Sequence, residues 1–248
     1  MTEKDLPTKR KRLFFDIETS PNIGLFWEAG YKKNIDHSNI IKERAIICIC
    51  YKWEDSKEVG FLTWDSKQSD KKMLQNFIKI ANQSDEIVGH NSDKFDLAWV
   101  RTRCLFHHIE MFPTYTTIDT LKISRSKFKF NSNKLDYIAK YLGMEGKIHT
   151  EFGMWKDIVI NKDKKAMDKM VKYCQQDVKL LESVYKELSI HIPNKTHYGV
   201  IFNQDRGSCP ECGSDELLRM VKRVTASGIK KIVFQCKTCH KYHTKTDK

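Results

Sequence analysis

The sequence lacks any apolar run long enough to cross a membrane. Its longest run, Ala45–Tyr51, has seven residues, whereas a transmembrane helix needs about 20. No apolar stretch follows Met1, so the sequence predicts no secretory signal and an intracellular, cytoplasmic location, with the nucleus left open. Internal repeats and low-complexity segments are also missing. With 40% hydrophobic and 11% aromatic residues, the composition excludes global disorder and predicts a packed core.

Positive charge is in excess. Lys and Arg number 44 against 32 Asp and Glu, which gives a net charge of +12. A basic surface favours polyanionic partners, because each neutralised phosphate releases condensed counterions. Solubility alone would also account for this charge. The segment from Arg206 to Lys248 holds ten basic and four acidic residues, and so contributes half of the excess.

The cysteines fall into two groups. One group occurs singly within apolar patterns, where a buried thiol behaves as a small hydrophobic group; it consists of Cys48, Cys50, Cys104 and Cys174. The other group forms two C-x-x-C pairs separated by 23 residues, and consists of Cys209, Cys212, Cys236 and Cys239. This spacing resembles a zinc ribbon and predicts one structural Zn²⁺ in a closed four-sulfur site. A redox dithiol is the alternative, and His240 and His243 are possible substitute ligands.

The loop between the two cysteine pairs predicts a β-hairpin that carries several cations. Side chains of this kind suit contact with phosphates, although docking of a replication or repair protein is a comparable alternative for such a module. The candidate nucleic-acid contacts on the hairpin are Arg219, Lys222, Arg223, Lys230 and Lys231.

The hydrophobic periodicity predicts an α/β fold, in which a mixed sheet is flanked by helices. Strands are expected at Arg12–Ile17, at Ala45–Trp53 and Glu58–Trp64 as a hairpin, at Glu86–Gly89 and at Thr116–Leu121. Helices are expected after Asp70, at Phe95–Phe106, before Gly143 and over Asp163–Leu188. We predict one domain over residues 8–190, a linker over 191–206 and a small zinc-ribbon β module over 207–248.

Acidic residues recur where predicted elements end. Asp16 and Glu18 lie two apart at the end of the first strand, so both side chains share one face. Asp96 follows a strand-to-helix junction. Tyr173 and Asp177 are four apart on the longest helix and therefore share a face. Carboxylates gathered at one place repel each other unless cations intervene, and Mg²⁺ and Mn²⁺ prefer oxygen ligands.

Three motifs carry a family resemblance. Phe15-Asp-Ile-Glu-Thr19, Asn91-x-x-x-Phe95-Asp96 and Tyr173-x-x-x-Asp177 resemble, in the expected order, the motifs of the DEDD (DnaQ-like) 3′→5′ exonuclease superfamily. Its fold is RNase H-like, and the tyrosine places the chain nearest the branch that includes proofreading domains of family A and B DNA polymerases. The resemblance covers about residues 11–188.

The resemblance implies two catalytic Mg²⁺ or Mn²⁺ ions. Asp16, Glu18, Asp96 and Asp177 would ligate them, and Tyr173 would orient the attacking water. Glu18 is also expected to contact the 3′ end of the substrate. Two further acidic residues near the motifs, Asp93 and Asp119, are not expected to bind metal. Asp93 is expected to cap the following helix, and Asp119 to end a strand.

Further nucleic-acid contacts are predicted near the second motif. The stretch from Lys122 to Phe130 alternates cations with aromatics, which suits phosphate contact and base stacking; an amphipathic edge strand is the alternative. The candidates are Asn91, Phe95, Lys122, Arg125, Lys127 and Lys129.

The sequence therefore predicts an enzyme that removes nucleoside 5′-monophosphates from a free 3′ end, with DNA favoured over RNA. It would be free-standing or a subunit in replication or repair, since no room remains for a polymerase domain. Two alternatives stay open: a nucleic-acid-binding module with a lapsed catalytic core, and a structure-specific endonuclease on the same fold.

Overall fold

The computed structural model describes residues 10–28, 30, 34–54, 56–144 and 151–247. The predicted first residue of the first domain, Thr8, and the last residue, Lys248, lie outside the described residues. The chain divides into two compact units, one over residues 11–184 and the other over 1–10 with 185–248. The domain boundaries expected from the sequence stay predictions. Within the described ranges, no helix is long and apolar enough to span a bilayer.

The first unit is built on a five-stranded mixed sheet in the order β5-β4-β1-β6-β7. β1 pairs antiparallel with β4 and parallel with β6, and β6 pairs parallel with β7. The carboxyl ends of β1, β6 and β7 therefore meet at one edge of the sheet. The strands are β1 (Arg12–Thr19), β2 (Ile23–Gly24), β3 (Ile40–Lys42), β4 (Ile46–Trp53), β5 (Gly60–Thr63), β6 (Glu86–Gly89) and β7 (Thr116–Asp119), of which β2 and β3 form a separate ribbon.

Helices flank this sheet, as the sequence predicts. The main core packs the β1 side chains Leu13, Phe15 and Ile17 with apolar side chains of the first two helices, including Phe77 and Leu97. These residues alternate along β1 because successive strand side chains point to opposite faces. The helices are α1 (Lys71–Ala81), α2 (Asp96–Phe106), α3 (Thr120–Lys127), α4 (Leu135–Tyr141), α5 (Gly153–Val159) and α6 (Lys164–Leu188).

One strand expected from the sequence ends early. The prediction extended β7 to Leu121, but the strand stops at Asp119 and α3 begins at the next residue. The Asp119 carboxylate accepts the backbone N–H groups of Leu121 and Lys122, and so caps α3. The edge-strand alternative for the basic stretch Lys122–Phe130 is therefore wrong over residues 122–127, which lie in α3. Helix α5 was not predicted.

The second unit contains a small antiparallel sheet in the order β10-β9-β8. Its strands are β8 (Leu217–Val224), β9 (Lys230–Cys236) and β10 (Tyr242–Thr246), and a short helix, α7 (Tyr198–Ile201), precedes them. The predicted small β module and its hairpin, β8–β9, are confirmed. Strand β10 was missed, because its Tyr-His-Thr-Lys-Thr sequence has little apolar character.

Candidate functional site

A cluster of carboxylates lies at the carboxyl end of β1. Asp16 and Glu18 point to the same face of the strand, and α6 brings Asp177 against them. One oxygen from each of these three side chains lies within 4.8 Å of the other two. Asp177 is 4% exposed, so its charge is largely removed from water. Hard divalent cations take oxygen ligands at such separations.

Tyr173 faces this cluster from one helical turn before Asp177. Burial raises the pKa of the Tyr173 phenol well above its usual range, and the charges of Asp177, Glu18 and Asp16 raise it further. The phenol therefore stays neutral at physiological pH. Its hydroxyl is also hydrogen-bonded to Asp177, which fixes it beside the carboxylates.

Asp96, the first residue of α2, lies beside β1 but outside the three-carboxylate group. Its Oδ1 accepts the backbone N–H of Ile17 at 3.2 Å, and its side chain is only 3% exposed. Burial raises the pKa of Asp96 to about 7, and the nearby Asp119 charge adds to this effect. A cation that approaches this carboxyl group lowers its pKa and so favours the ionised form.

The loop before Asp96 is held by Asp119. Oδ1 of Asp119 accepts the N–H of Asn91 at 2.9 Å, and Oδ2 accepts that of Asp93 at 3.3 Å. Asn91 has a φ of 67°, a left-handed conformation that asparagine tolerates better than most residues. Asp119 does end a strand, as predicted. The prediction that Asp93 caps the next helix is wrong, because Phe95 is the N-cap and Asp93 pairs instead with Lys122 at 2.6 Å.

A cleft of about 570 Å³, lined mostly by polar and charged residues, opens beside Asp16. Arg125 of α3 and Lys134 line it together with His90. The His90 ring is held by Thr120 Oγ1 and by the backbone oxygen of Asn133, both at 2.9 Å. Sequence reasoning missed His90 and the Asn131–Asp136 wall. The polar run Asn-Ser-Asn-Lys just before α4 was the available signal.

The predicted nucleic-acid contacts occupy different environments. Arg125 lines the cleft, whereas Lys122 is engaged by Asp93. Phe95 is partly buried against the core cluster. Lys127 and Lys129 are exposed. They alternate in sequence with Phe128 and Phe130, whose rings stack with their centroids 5.4 Å apart. Cations and aromatic rings thus alternate on the surface near the cleft.

Cysteine sulfurs adjoin the carboxylates. In the β1–β4 register, Asp16 faces Cys50 and Glu18 faces Cys48. Cys174 of α6 lies over these two, and the three sulfur atoms are within 4.8 Å of one another. All three residues are fully buried, as expected from their apolar context.

The other four cysteines converge in the second unit. Their sulfurs lie within 4.8 Å of one another, and the Cys209–Cys239 and Cys212–Cys236 pairs are each 3.6 Å apart. A tetrahedral ion with metal–sulfur bonds of about 2.3 Å requires edges of roughly 3.8 Å. The hydrogen bond between Cys209 and Cys239 lowers the pKa of Cys209 to about 4 and raises that of Cys239, so this pair shares one proton when no metal is bound. His243 is not in this cluster and stacks on Phe234 instead.

The hairpin cations lie on exposed strands of this unit. Arg219, Lys222 and Arg223 are all exposed on β8. Lys222 pairs with Asp247 at 3.0 Å. Lys230 is exposed and Lys231 is partly buried at the start of β9. The two arginines of β8 thus present guanidinium groups to solvent.

Comparisons with known proteins agree with this architecture. Residues 13–189 match the family RNase_H_2 of the RNase H superfamily. The chain also resembles the structure of the family B DNA polymerase from the hyperthermophilic archaeon Pyrobaculum calidifontis, with a TM-score of 0.57 and 16% sequence identity. The match covers 74% of this chain and only 25% of the polymerase, and at this identity it shows the fold alone. No curated protein sequence matches the chain.

Proposed function

Because the chain belongs to the RNase H superfamily, we propose that it is a metal-dependent 3′→5′ exonuclease. Its reaction is hydrolysis of the terminal phosphodiester to a nucleoside 5′-monophosphate. The observation that carries the proposal is the convergence of Asp16, Glu18 and Asp177 beside the neutral hydroxyl of Tyr173. Membership of the superfamily supports nuclease activity; the order of the three motifs supports attack at a 3′ end.

The residues at this site fit divalent metal ions. Three carboxylate oxygens within 4.8 Å of one another suit one Mg²⁺ or Mn²⁺, and the buried Asp96 would serve a second ion beside it. Such ions, when bound, activate water and neutralise charge on the phosphodiester. This chain's own contribution is to hold the carboxylates rigidly on β1, α2 and α6, because a strand and two helices position side chains more firmly than loops do.

Tyr173 and Glu18 act on the reactants themselves. Tyr173 stays neutral, so its hydroxyl can orient the attacking water without adding a negative charge near the phosphate. Asp177, hydrogen-bonded to that hydroxyl, sets the direction of the phenol. Glu18 would also contact the terminal 3′ hydroxyl. Orientation of this kind raises rates by holding reacting groups in place before the reaction.

The cleft beside Asp16 fits the strand that ends at the metal site. Arg125 and Lys134 supply cations for the phosphates, and the stacked Phe128 and Phe130 rings offer faces to bases. We favour DNA over RNA as the substrate, because the three motifs resemble those of proofreading domains of DNA polymerases. The enzyme would act alone or as a subunit in replication or repair.

The cysteine cluster of the second unit would hold one structural Zn²⁺. Its near-tetrahedral sulfur spacing supports this, and closed four-sulfur coordination leaves no position for catalysis. Arg219 and Arg223 on the exposed hairpin would add phosphate contacts and so assist substrate capture. Docking of a replication or repair protein on the same face is the alternative role.

A digestion series tests the proposal. Single-stranded DNA, duplex DNA and RNA, each labelled at the 5′ end, are incubated with the purified protein and Mg²⁺ or Mn²⁺. Stepwise shortening of the labelled strand and release of 5′-monophosphates are expected, with no cleavage by Asp96→Ala. Internal cleavage would instead identify an endonuclease. Binding without any cleavage would support a nucleic-acid-binding module whose catalysis has lapsed.

A further inference from the structure

A second group of metal-binding side chains lies directly beside the carboxylates. Cys48 and Cys50 are cross-strand neighbours of Glu18 and Asp16 on the same face of the sheet, and Cys174 covers them from α6. Their three sulfurs are mutually within 4.8 Å. An ion bound to three sulfurs in a plane, with bonds of about 2.3 Å, separates the sulfurs by roughly 4 Å. Small rotamer adjustments would therefore complete such a site.

The sulfur ligands select the kind of ion. Thiolates are soft ligands and favour Cu⁺ and similar thiophilic ions over Mg²⁺ and Mn²⁺. The neighbouring carboxylates have the opposite preference. Two adjoining sites of opposite preference are thus built from β1, β4 and α6.

We propose that Cys48, Cys50 and Cys174 bind one soft, thiophilic metal cation, and that this binding inactivates the carboxylate site. The inhibitory consequence rests on the proposed nuclease function; the binding itself does not. The site is distinct from the four-cysteine cluster of the second unit.

The inhibition follows from a contact between the two sites. The Cys174 thiol lies 3.5 Å from the backbone oxygen of Asp16 and 3.7 Å from its Oδ2. When a metal–sulfur bond forms, the S–H bond of that cysteine breaks and its proton passes to water. Asp16 then loses a hydrogen-bond donor and faces a new cation that competes for its carboxylate. Asp16 can then no longer act as a ligand of Mg²⁺ or Mn²⁺ in the carboxylate site.

The route to the sulfurs passes the active site. The three cysteines are fully buried, but Asp16, which contacts Cys174, lines the open cleft. An ion entering from the cleft therefore meets Asp16 before it reaches sulfur. Substrate or Mg²⁺ already bound there would slow its entry.

Cadmium is the probe of choice, because Cd²⁺–thiolate bonds absorb in the ultraviolet. Zinc-loaded full-length protein is titrated with Cd²⁺ in excess Mg²⁺, and charge-transfer absorbance, bound cadmium and hydrolysis are followed together. We expect one Cd²⁺ in addition to the zinc site, and loss of activity at that stoichiometry. In Cys48→Ala/Cys50→Ala, the additional Cd²⁺ is lost and inhibition needs at least tenfold more cadmium.

Cys104→Ala is the matched control, since Cys104 is a buried thiol of α2 in the main core and lies outside the cluster. It is expected to bind and respond like the wild type. Equal cadmium binding and equal inhibition in the double variant and the wild type would overturn the proposal. If the double variant folds poorly by circular dichroism, Cys48→Ser/Cys50→Ser replaces it. Cadmium uptake by a protein with no nuclease activity would refute the proposed function and leave this site standing.

Discussion

The thiol of Cys174 lies 3.5 Å from the backbone oxygen of Asp16 and 3.7 Å from Asp16 Oδ2. This contact joins α6 to the end of β1, one residue after Tyr173 and three before Asp177. Helix α6, which supplies Tyr173 and Asp177, therefore also contacts a third site residue, Asp16. A hydrogen bond to a carboxylate favours its charged form, which is the form that binds a cation. The thiol of Cys174 therefore supports cation binding by Asp16.

Replacing Cys174 tests this support. Cys174→Ala removes the donor and should raise the Mg²⁺ concentration for half-maximal activity by about three- to tenfold, since a hydrogen bond of this kind contributes about 1 kcal/mol. Cys174→Ser keeps a donor and should restore the wild-type requirement in large part. The measurement is a metal titration of hydrolysis at saturating substrate. Identical titration curves for the alanine variant and the wild type would contradict the expectation.

Removing a carboxylate of the cluster should abolish hydrolysis. Asp16→Ala deletes both carboxylate oxygens, and Asp177→Asn removes the negative charge and one oxygen. For each we expect kcat to fall by at least about 10³-fold, the scale of losing metal-assisted charge stabilisation. Circular dichroism should remain native-like, because both residues lie at the edge of the core. Asp168→Asn, an exposed acid on the same helix, is the matched control and should retain full activity. Substantial turnover by either cluster variant would remove the two-metal assignment.

Much of the fold could be predicted because the hydrophobic period is regular. β6 was predicted at its observed bounds, and α6 begins one residue later than expected. The edge-strand alternative was wrong for the α3 segment; it arose because alternating cations and apolar residues imitate a period of two. What decided the conformation was the Asp119 cap, a local hydrogen bond that no periodicity reveals.

The candidate site was accessible to sequence reasoning only in part. The spacing of Asp16 and Glu18 fixes a shared strand face, and that of Tyr173 and Asp177 fixes a shared helix face. His90 and Asn133, which line the cleft, are hydrogen-bonded to each other although they lie 43 residues apart in the sequence. The approach of Cys174 to Asp16 spans 158 residues. Contacts of such separation follow from tertiary packing, which the local pattern of a single sequence does not reveal.

Zinc should be bound by the four cysteines of the second unit. The purified, reduced protein is expected to hold about one tightly bound Zn²⁺, as measured by elemental analysis. Cys209→Ser/Cys239→Ser should lose the ion and lower the thermal stability of this unit, because the binding free energy of a structural zinc is also folding free energy. Since the cysteines of this site are far in sequence from the carboxylates, kcat on short saturating substrates should change little. Absence of zinc from fresh wild-type protein would exclude the site.

The hairpin arginines should act on substrate capture. Arg219→Gln/Arg223→Gln removes two exposed guanidinium groups from β8, so KM on a long single strand should rise about tenfold with kcat unchanged. The slope of log affinity against log salt should fall by about 1.4, from two phosphate contacts of roughly 0.7 each. Lys72→Gln/Lys79→Gln on the exposed face of α1 makes the same charge change and should leave both quantities unaltered. An unchanged KM and salt slope in the arginine variant would favour protein docking at the hairpin.

Asp96 should make the stability of the protein depend on pH when Mg²⁺ and Mn²⁺ are absent. Its pKa rises from about 3.9 in the unfolded chain to about 7 in the fold. Because the folded pKa is the higher one, the folded state is penalised whenever this carboxyl is ionised. That penalty is absent below about pH 4, grows between pH 4 and 7, and is complete above pH 7.

The full penalty is at most about 4 kcal/mol, from roughly three pKa units at 1.36 kcal/mol each. Asp96→Asn removes it while keeping an oxygen that can accept the Ile17 N–H. The melting temperature of the variant relative to the wild type should therefore increase from pH 5 to pH 8. Added Mg²⁺ should stabilise the wild type more than the variant, since the variant keeps the Asp16, Glu18 and Asp177 carboxylates but lacks the carboxylate of Asp96. Thermal melts of the zinc-loaded proteins across this range are the measurement. A difference in melting temperature that stays constant with pH would mean that Asp96 is ionised in the fold without any metal to neutralise it.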